Sequence, residues 1–420
     1  MDNKNSEKNV TLHLGDNLKF LKTYPDSSIH SVIIDGPYAL NSKEYDAAEV
    51  ARKYLQSENY FLGGKGFEGM KWDSDLPSLE LLKELYRVLK PGGFVACFAS
   101  NRTYDILAFT FRFAKFRIKD QLIWTYASGL PKGQWLSNQV DNEQDRNLLS
   151  GLNTALKPAF EPIVLAQKPL EIGETIVSNF LKHGTGALNI ESVEVVKKDG
   201  KKKYSANIIT DGSPVVNAGF VNGNANFNTC EFNILDSLLN PVLHYSKSQP
   251  KDRDFGLDLY ESNKKRTSIF GNKEIDGKNI HVTVKPISLM RHLVRLLTRP
   301  GDTVLDCFMG SGTTMVAAIL ENRRCIGMEI EPDYFAIASE RARRTQELLN
   351  KYKVNCPDQL ALFAQIERDE VELERVAEDF LKNPKDRELQ TQFQTVEFNL
   401  KRNKSELRKM LSGAALKKAA

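Results

Sequence analysis

Cysteine is scarce and unpatterned. Five are scattered along 420 residues, at Cys97, Cys230, Cys307, Cys325 and Cys356, with no Cys-x-x-Cys pair among them. An odd number without a framework reads as reduced thiols rather than a disulfide scaffold, and structural zinc is not expected. No proline precedes a cysteine, so a Pro-Cys nucleophile is also missing; the single Cys356-Pro357 is reversed. Long apolar runs are absent too. The longest lies around Thr314 to Leu320, far short of the ~20 residues that span a bilayer. Met1 to Val10 is polar and has no signal-peptide core, so a soluble, cytoplasmic protein is expected. Excess charge of one sign is lacking as well: 58 basic residues face 54 acidic ones. That balance excludes a polycation or an acidic disordered chain, but a local basic face suffices to bind nucleic acid.

What is present is a change of texture along the chain. Up to Leu170, strand-like and helix-like stretches alternate. Thr11 to Leu14 and the β-branched run His30 to Ile34 are extended. Leu79 to Lys90 has helical spacing and stops at Pro91-Gly92-Gly93. Phe94 to Phe98, Lys119 to Thr125 and Ile163 to Ala166 are strands, with a helix over Thr103 to Phe113. Such alternation predicts a parallel sheet covered on both faces. From Leu170 to Gly277, Gly, Asn, Ser and Lys accumulate and periodicity fades, as in a loop-rich insert. The α/β pattern then returns: helix Ser288 to Thr298, strand Thr303 to Cys307, helix Gly312 to Glu321, strand Cys325 to Glu329, helix Pro332 to Arg344. The chain from Lys351 onward is charged and helix-prone, and Pro384 divides it in two.

Two turns carry chemistry. In Asp306-Cys307-Phe308-Met309-Gly310-Ser311-Gly312-Thr313 the glycines let the backbone bend and a ligand approach closely. The next strand ends in the carboxylate of Glu329. In Rossmann-like sheets an acid at that position accepts ribose hydroxyls. The third glycine of a dinucleotide fingerprint would fall at Val316, Ala317 or Ala318. A pyrophosphate cradle is therefore poorly supported, and a phosphate-free nucleoside such as S-adenosylmethionine fits.

The second turn, Asp35-Gly36-Pro37-Tyr38, follows the His30 to Ile34 strand. The Asp35 carboxylate and the Gly36 carbonyl are two acceptors for the N–H groups of an exocyclic base amine. Drawing on those hydrogens frees a lone pair otherwise delocalised into the ring. Pro37 fixes the turn, and Tyr38 offers a ring on which an extruded base can stack. An ordinary strand-to-loop turn is the plain alternative for four such residues.

Together these residues resemble the amino-group DNA methyltransferases, which make N6-methyladenine or N4-methylcytosine. Their catalytic motif reads Asp/Asn/Ser-Pro-Pro-Tyr/Phe and their cofactor motif Phe-x-Gly-x-Gly. Here the catalytic motif comes first, an insert follows, and the cofactor motif comes last, as in the permuted β-class. His281-Val282-Thr283-Val284-Lys285-Pro286 is similar to the family's His-Pro-Thr-x-Lys-Pro segment. Gly15-Asp16 is similar to its Gly-Asp, whose carboxylate faces the cofactor adenine. Gly66 to Asp73, Leu156 to Pro162 and His183 to Ile190 resemble a phage and mobile-element branch. The sequence departs from the family at Gly36 and Val282, where proline is usual, and in the added stretch Asn41 to Lys65, a mobile lid or a surface elaboration.

The resemblance implies a Rossmann-like, S-adenosylmethionine-dependent methyltransferase sheet, permuted and split. Residues 1–169 would be the catalytic half, 170–277 a target-recognition insert, 278–350 the cofactor half and 351–420 a charged helical tail. It further implies Asp35, Gly36, Pro37 and Tyr38 as catalytic residues. Asp16, His281, Thr283, Lys285, Asp306, Phe308, Gly310, Gly312, Thr313 and Glu329 would hold the cofactor, and no metal is called for. Double-stranded DNA is the implied partner, with a homodimer left open. Lys197, Lys198, Lys201, Lys202, Lys203, Lys264, Lys265 and Arg266 are candidate phosphate contacts, against a solvated lysine-rich turn as the plain reading. Trp72 and Phe67 fall near the base pocket, and Trp124 reads as core. The tail is a candidate dimerisation or DNA-clamping helix pair, with a solvated, marginally ordered extension preferred. In this family an Asp at the first motif position accompanies adenine more often than cytosine, so N6-adenine is the expected target and N4-cytosine the alternative. No nuclease constellation is evident. A nicotinamide oxidoreductase would explain the glycine loop but not Asp-Gly-Pro-Tyr, and a silent DNA-binding relic or an RNA methyltransferase are further alternatives.

Overall fold

The structure is a computed structural model. It describes residues 9–40, 43–64, 71–126, 133–156, 158–196, 202–203, 206–210, 250–257, 260, 266–268, 271–275, 278–281, 283–353, 357–382 and 386–418. Its strands are β1 (Val10–Leu14), β2 (Ile29–Ile34), β3 (Leu89–Phe98), β4 (Arg117–Thr125), β5 (Phe160–Gln167), β6 (Val195–Val196), β7 (Lys202–Lys203), β8 (Ile208–Thr210), β9 (Arg266–Ser268), β10 (Gly271–Ile275), β11 (Thr303–Asp306) and β12 (Arg324–Glu329). The helices are α1 (Asn17–Leu21), α2 (Ala47–Leu55), α3 (Leu79–Val88), α4 (Tyr104–Phe113), α5 (Glu143–Leu148), α6 (Ile176–His183), α7 (Pro250–Arg253), α8 (Ile287–Leu297), α9 (Thr313–Leu320), α10 (Pro332–Tyr352), α11 (Pro357–Lys382) and α12 (Arg387–Lys418).

Eight strands form one sheet in the order β1-β12-β11-β2-β3-β5-β4-β8. The two α/β pieces of the chain are thus woven into a single sheet: β11 and β12, from the C-terminal piece, lie between β1 and β2. The central strands carry no polar alternation because both faces are covered. Val32 and Ile34 of β2 point to a core shared with Leu82 and Leu85 of α3 and Leu107 and Phe111 of α4. Ile33 points the other way, to Leu289 and Leu293 of α8, Met315 of α9 and Ala338 of α10. The two-residue period of a strand and the apolar stripes of the helices therefore generate three layers.

The sheet is not all parallel, which corrects the sequence expectation. β5 runs antiparallel to both β3 and β4, while the other pairings in this sheet are parallel. An apolar strand reads the same in either direction, and the stretch linking β4 to β5 is as long as a crossover helix would need.

Caps set where the helices start: Asp16, Asp46, Ser78 and Asn142 each accept a backbone N–H of the first turn of α1, α2, α3 and α5. Within the added stretch Asn41 to Lys65, α2 packs outward on α4, burying Val50 and Tyr54 and bonding Tyr54 to Thr110 at 2.9 Å. The described part of that stretch builds a surface elaboration. The tail also differs from a solvated extension. Phe363 of α11 stacks on Tyr352 at 3.8 Å, Leu360 and Ala364 join the core, and Asn403 of α12 donates to Asp369 of α11 at 2.8 Å.

Candidate active site

In an open α/β sheet, ligands bind beyond the carboxyl ends of strands where the chain leaves in opposite directions. Here that point lies between β2 and β11. The chain goes from β11 through α9 to β12 on one side, and from β2 through α3 to β3 on the other. Asp35 follows β2, and Asp306 ends β11 with Phe308 just beyond.

The two turns touch. A Cβ built on Gly36 would stand 3.3 Å from the Phe308 ring and 3.3 Å from Pro77. The Asp-Gly-Pro-Tyr turn and the Phe-x-Gly-x-Gly turn, far apart in the chain, thus pack side by side. The backbone after Tyr38 is held by Asp73, whose carboxylate accepts from Tyr38 N at 2.6 Å and Leu40 N at 3.3 Å.

Asp35 sits in a buried polar cluster. Its Oδ2 accepts from Lys285 Nζ at 2.5 Å and its Oδ1 from the Tyr38 hydroxyl at 2.8 Å. Tyr38 also donates toward Glu161 Oε2 at 3.2 Å, which lies 3.5 Å from Lys285 Nζ. Tyr126 donates to the other Glu161 oxygen at 3.3 Å. Two carboxylates therefore share one ammonium. Burial raises the Asp35 pKa above the ordinary carboxylate value, and Lys285 only partly opposes it. Burial opposes the charge on Lys285, but Asp35 and Glu161 outweigh it and hold its pKa up.

The neighbouring cleft is lined by Asp35, His281, Thr283, Lys285, Asp306, Phe308, Gly310 and Thr313 among others. Asp306 accepts from Phe308 N at 3.0 Å and Thr314 Oγ1 at 2.5 Å, and burial pushes its pKa up to about 7. Glu329 accepts from the backbone N–H groups of Gly310, Ile330 and Glu331 at 2.7, 2.9 and 2.8 Å. Gly310 has φ +53°, and a Cβ there would meet His281 Nε2 at 2.7 Å. Gly312 has φ +81° with its Cβ position 2.9 Å from Ala338. His281 is wedged between Trp72 and Tyr334, and burial drives its pKa down to about 3, so the ring is neutral. Thr313 accepts from Arg341 at 3.1 Å. Asp16 caps α1 beside the end of β1, whose Leu14 pairs with Glu329.

The cleft thus presents carboxyl groups and a glycine turn. Among the described residues its lone lining ammonium, Lys285, is turned onto Asp35. That donor set fits a cationic, phosphate-free nucleoside and not a pyrophosphate.

A family model described as DNA methylase, of the N6/N4 type, matches residues 29–340. The chain belongs to this family. It is a DNA methyltransferase, and the family's methyl donor is S-adenosylmethionine. Over 350 residues it is 26% identical to the type II methyltransferase M.HindIII of Haemophilus influenzae, covering 79% of this chain and 94% of that one. A 60-residue stretch is 53% identical to the type II methyltransferase M.BglI of Bacillus subtilis, 14% of this chain and 17% of that one. Among solved structures, the PvuII DNA methyltransferase (cytosine-N4-specific) is 17% identical with a TM-score of 0.44, over 84% of this chain and 93% of that one.

Within this methyltransferase, Asp35, Gly36, Tyr38, His281, Thr283, Lys285, Asp306, Phe308, Gly310, Thr313 and Glu329 gather at one sheet edge. Lys285 lines the cleft together with Gly310 and turns its ammonium onto Asp35. Lys197, Lys198, Lys201, Lys264, Lys265 and Phe67 lie outside the described residues. Lys202 and Lys203 form β7, paired with β6, and Arg266 opens β9, paired with β10. Trp124 is core, 2% exposed. Cys97, Cys307 and Cys325 are buried, with thiol pKa values raised by burial, to about 12 for Cys325. None of them is an activated nucleophile. Glu161, inside the Leu156 to Pro162 segment, and Tyr126 are not among the site residues that the sequence singles out. The signal for Glu161 is a charged residue second in a strand whose last six positions are all buried. No helix among the described residues is long and apolar enough to cross a membrane.

Proposed function

We propose that this enzyme methylates the exocyclic N6 of adenine in double-stranded DNA, on a base turned out of the helix. The observation that carries this reading is Asp35, at the end of β2, packed through Gly36 against Phe308 of the glycine turn. A base amine reaching Asp35 would lie beside whatever the cofactor cleft holds. The Asp at the first motif position supports adenine.

S-adenosylmethionine supplies an electrophilic methyl on a sulfonium. Gly310, Gly312, Glu329, Asp306, Asp16, His281 and Thr283 are the residues to hold it, with acidic groups suited to its positive charge. Asp35 and the Gly36 carbonyl accept the two amine hydrogens, which keeps the nitrogen lone pair available. Tyr38 and Pro37 fix the turn, and the Tyr38 ring offers a face to the base. When the amine becomes methylated, its excess proton passes to Asp35: the N–H bond breaks, its electron pair stays on nitrogen, and an O–H bond forms. A carboxyl whose pKa burial has raised is suited to that step. The lysine-rich segments within 170–277 serve as phosphate contacts and that stretch as the recognition insert.

The test is methyl transfer from labelled S-adenosylmethionine to unmethylated plasmid DNA, followed by nucleoside analysis. N6-methyladenine that disappears in Asp35→Ala, with cofactor binding retained, is expected; the loss should be at least about 100-fold. N4-methylcytosine would overturn the choice of base. No product from any DNA would overturn the reading of an active enzyme.

A further inference from the structure

Both oxygens of Asp35 are engaged by the protein itself. Lys285 holds Oδ2 and Tyr38 holds Oδ1. Each oxygen can accept a second hydrogen bond, but a donor held on it weakens its pull on the hydrogen of a base amine. An ammonium left on Asp35 would draw on the electron density meant for the amine hydrogens.

The two donors have one further acceptor in common. Glu161 Oε2 is 3.5 Å from Lys285 Nζ and 3.2 Å from the Tyr38 hydroxyl. We propose that Glu161 is a positioning residue that receives Lys285 and Tyr38 as the base amine takes their place on Asp35. This rests on the methyl-transfer reading above. It assigns a role to a residue that never touches the base.

Three features favour the exchange. First, the movement is short, on the order of 1 Å for the ammonium, the difference between a weak contact and a good hydrogen bond. Second, Lys285 stays paired throughout. Without Glu161, lifting it from Asp35 would strand a buried charge, which is strongly unfavourable. Third, Glu161 is anchored independently of Asp35. It lies on β5 opposite Trp124 of β4, and Tyr126 donates to its other oxygen. The reversed strand thus holds a second carboxylate fixed while donors move between the two. In the exchange one amine N–H takes the place of the Lys285 and Tyr38 donors on Asp35, the other goes to the Gly36 carbonyl, and the two displaced donors pass to Glu161.

Glu161→Gln tests this. Glutamine keeps the shape and an acceptor for Tyr126 but removes the charge that attracts Lys285. The groups facing Asp35 are Lys285, Tyr38, Glu161, Asp306 at the end of β11 and Cys97 on β3, with Tyr126 behind Glu161. Removing the Glu161 charge leaves Lys285 on Asp35 alone and makes Asp35 easier to ionise. The expected result is a kcat reduced about tenfold or more, little change in KM for DNA or in cofactor affinity, and an acid limb of the kcat profile moved to lower pH. Glu161→Asp restores the charge one methylene further back and should return the limb to its place with part of the rate. A Gln variant with wild-type kcat and an unmoved limb overturns the proposal. So does a lowered kcat with an unmoved limb, which marks a merely structural role. If the Gln variant does not fold, the proposal stands or falls on Glu161→Asp, where a rate below one hundredth of wild type in a folded protein would overturn it. A wild-type protein that binds cofactor yet methylates nothing sinks the underlying reading, and this proposal with it.

Discussion

The same kinds of side chain form ion pairs in two parts of this molecule. On α10, Arg343 pairs with Glu340 at 2.8 Å and with Glu347 one turn on, with the arginine side chain 52% exposed. At the sheet edge, Lys285 pairs with Asp35 at 2.5 Å with its side chain 9% exposed. Distance alone does not separate them. Water does: the outer pairs are screened and contribute little, whereas the buried inner ammonium answers for two carboxylates that are themselves largely withdrawn from solvent, 18% and 17% exposed. The outer set balances its charges within one helix. The inner set draws on β2, β5 and the approach to α8.

Substitutions should expose that contrast in order of size. Lys285→Met removes the ammonium that Asp35 and Glu161 share. Methyl transfer should drop by about 100-fold or more, and removing one partner of a buried pair should cost about 3–5 kcal/mol, read from denaturant unfolding. Gly310→Ala combines a left-handed backbone with a Cβ 2.7 Å from His281. Calorimetry should show cofactor affinity reduced about tenfold or more, with a stability loss of about 1–3 kcal/mol.

Asp306 gives a subtler signature. Burial holds its pKa at about 7, against about 4 in an unfolded chain. Between those values the native state keeps a proton that the unfolded state has lost. Its contribution to stability is therefore full below pH ~4, declines as pH rises to ~7, and is gone above. Asp306→Asn should flatten Tm against pH over that window. Arg343→Ala should change stability by less than about 1 kcal/mol and leave methyl transfer unchanged. A large effect there would undo the comparison.

How much of this was legible beforehand follows from how local each signal is. The turn at Gly310 is readable because a strand, a bend and a helix start stand consecutively in the chain, and the turn at Asp35 because a β-branched strand runs straight into Asp-Gly-Pro-Tyr. The resemblance added Lys285 as a cofactor residue; that its ammonium meets Asp35, 250 positions away, no local pattern announces. Glu161 escaped notice because its meaning depends on β5 running backwards between β3 and β4. Strand direction leaves no mark on an apolar run. The tail showed its two helices through Pro384, but that α11 docks on the core depends on Tyr352 meeting Phe363, a pairing no periodicity announces.

The contact between Gly36 and Phe308 also bears on how the molecule comes into being. During synthesis, β2 emerges long before β11, and β1 waits for β12 as its neighbour. Until β11 and β12 have been made, the central strands have open edges where those two belong. Such long-range pairing is slow to close and prone to association in the interval. A ribosome that has reached only Arg299 therefore bears the Asp-Gly-Pro-Tyr turn with nothing opposite it, and the two turns meet only with closure of the sheet.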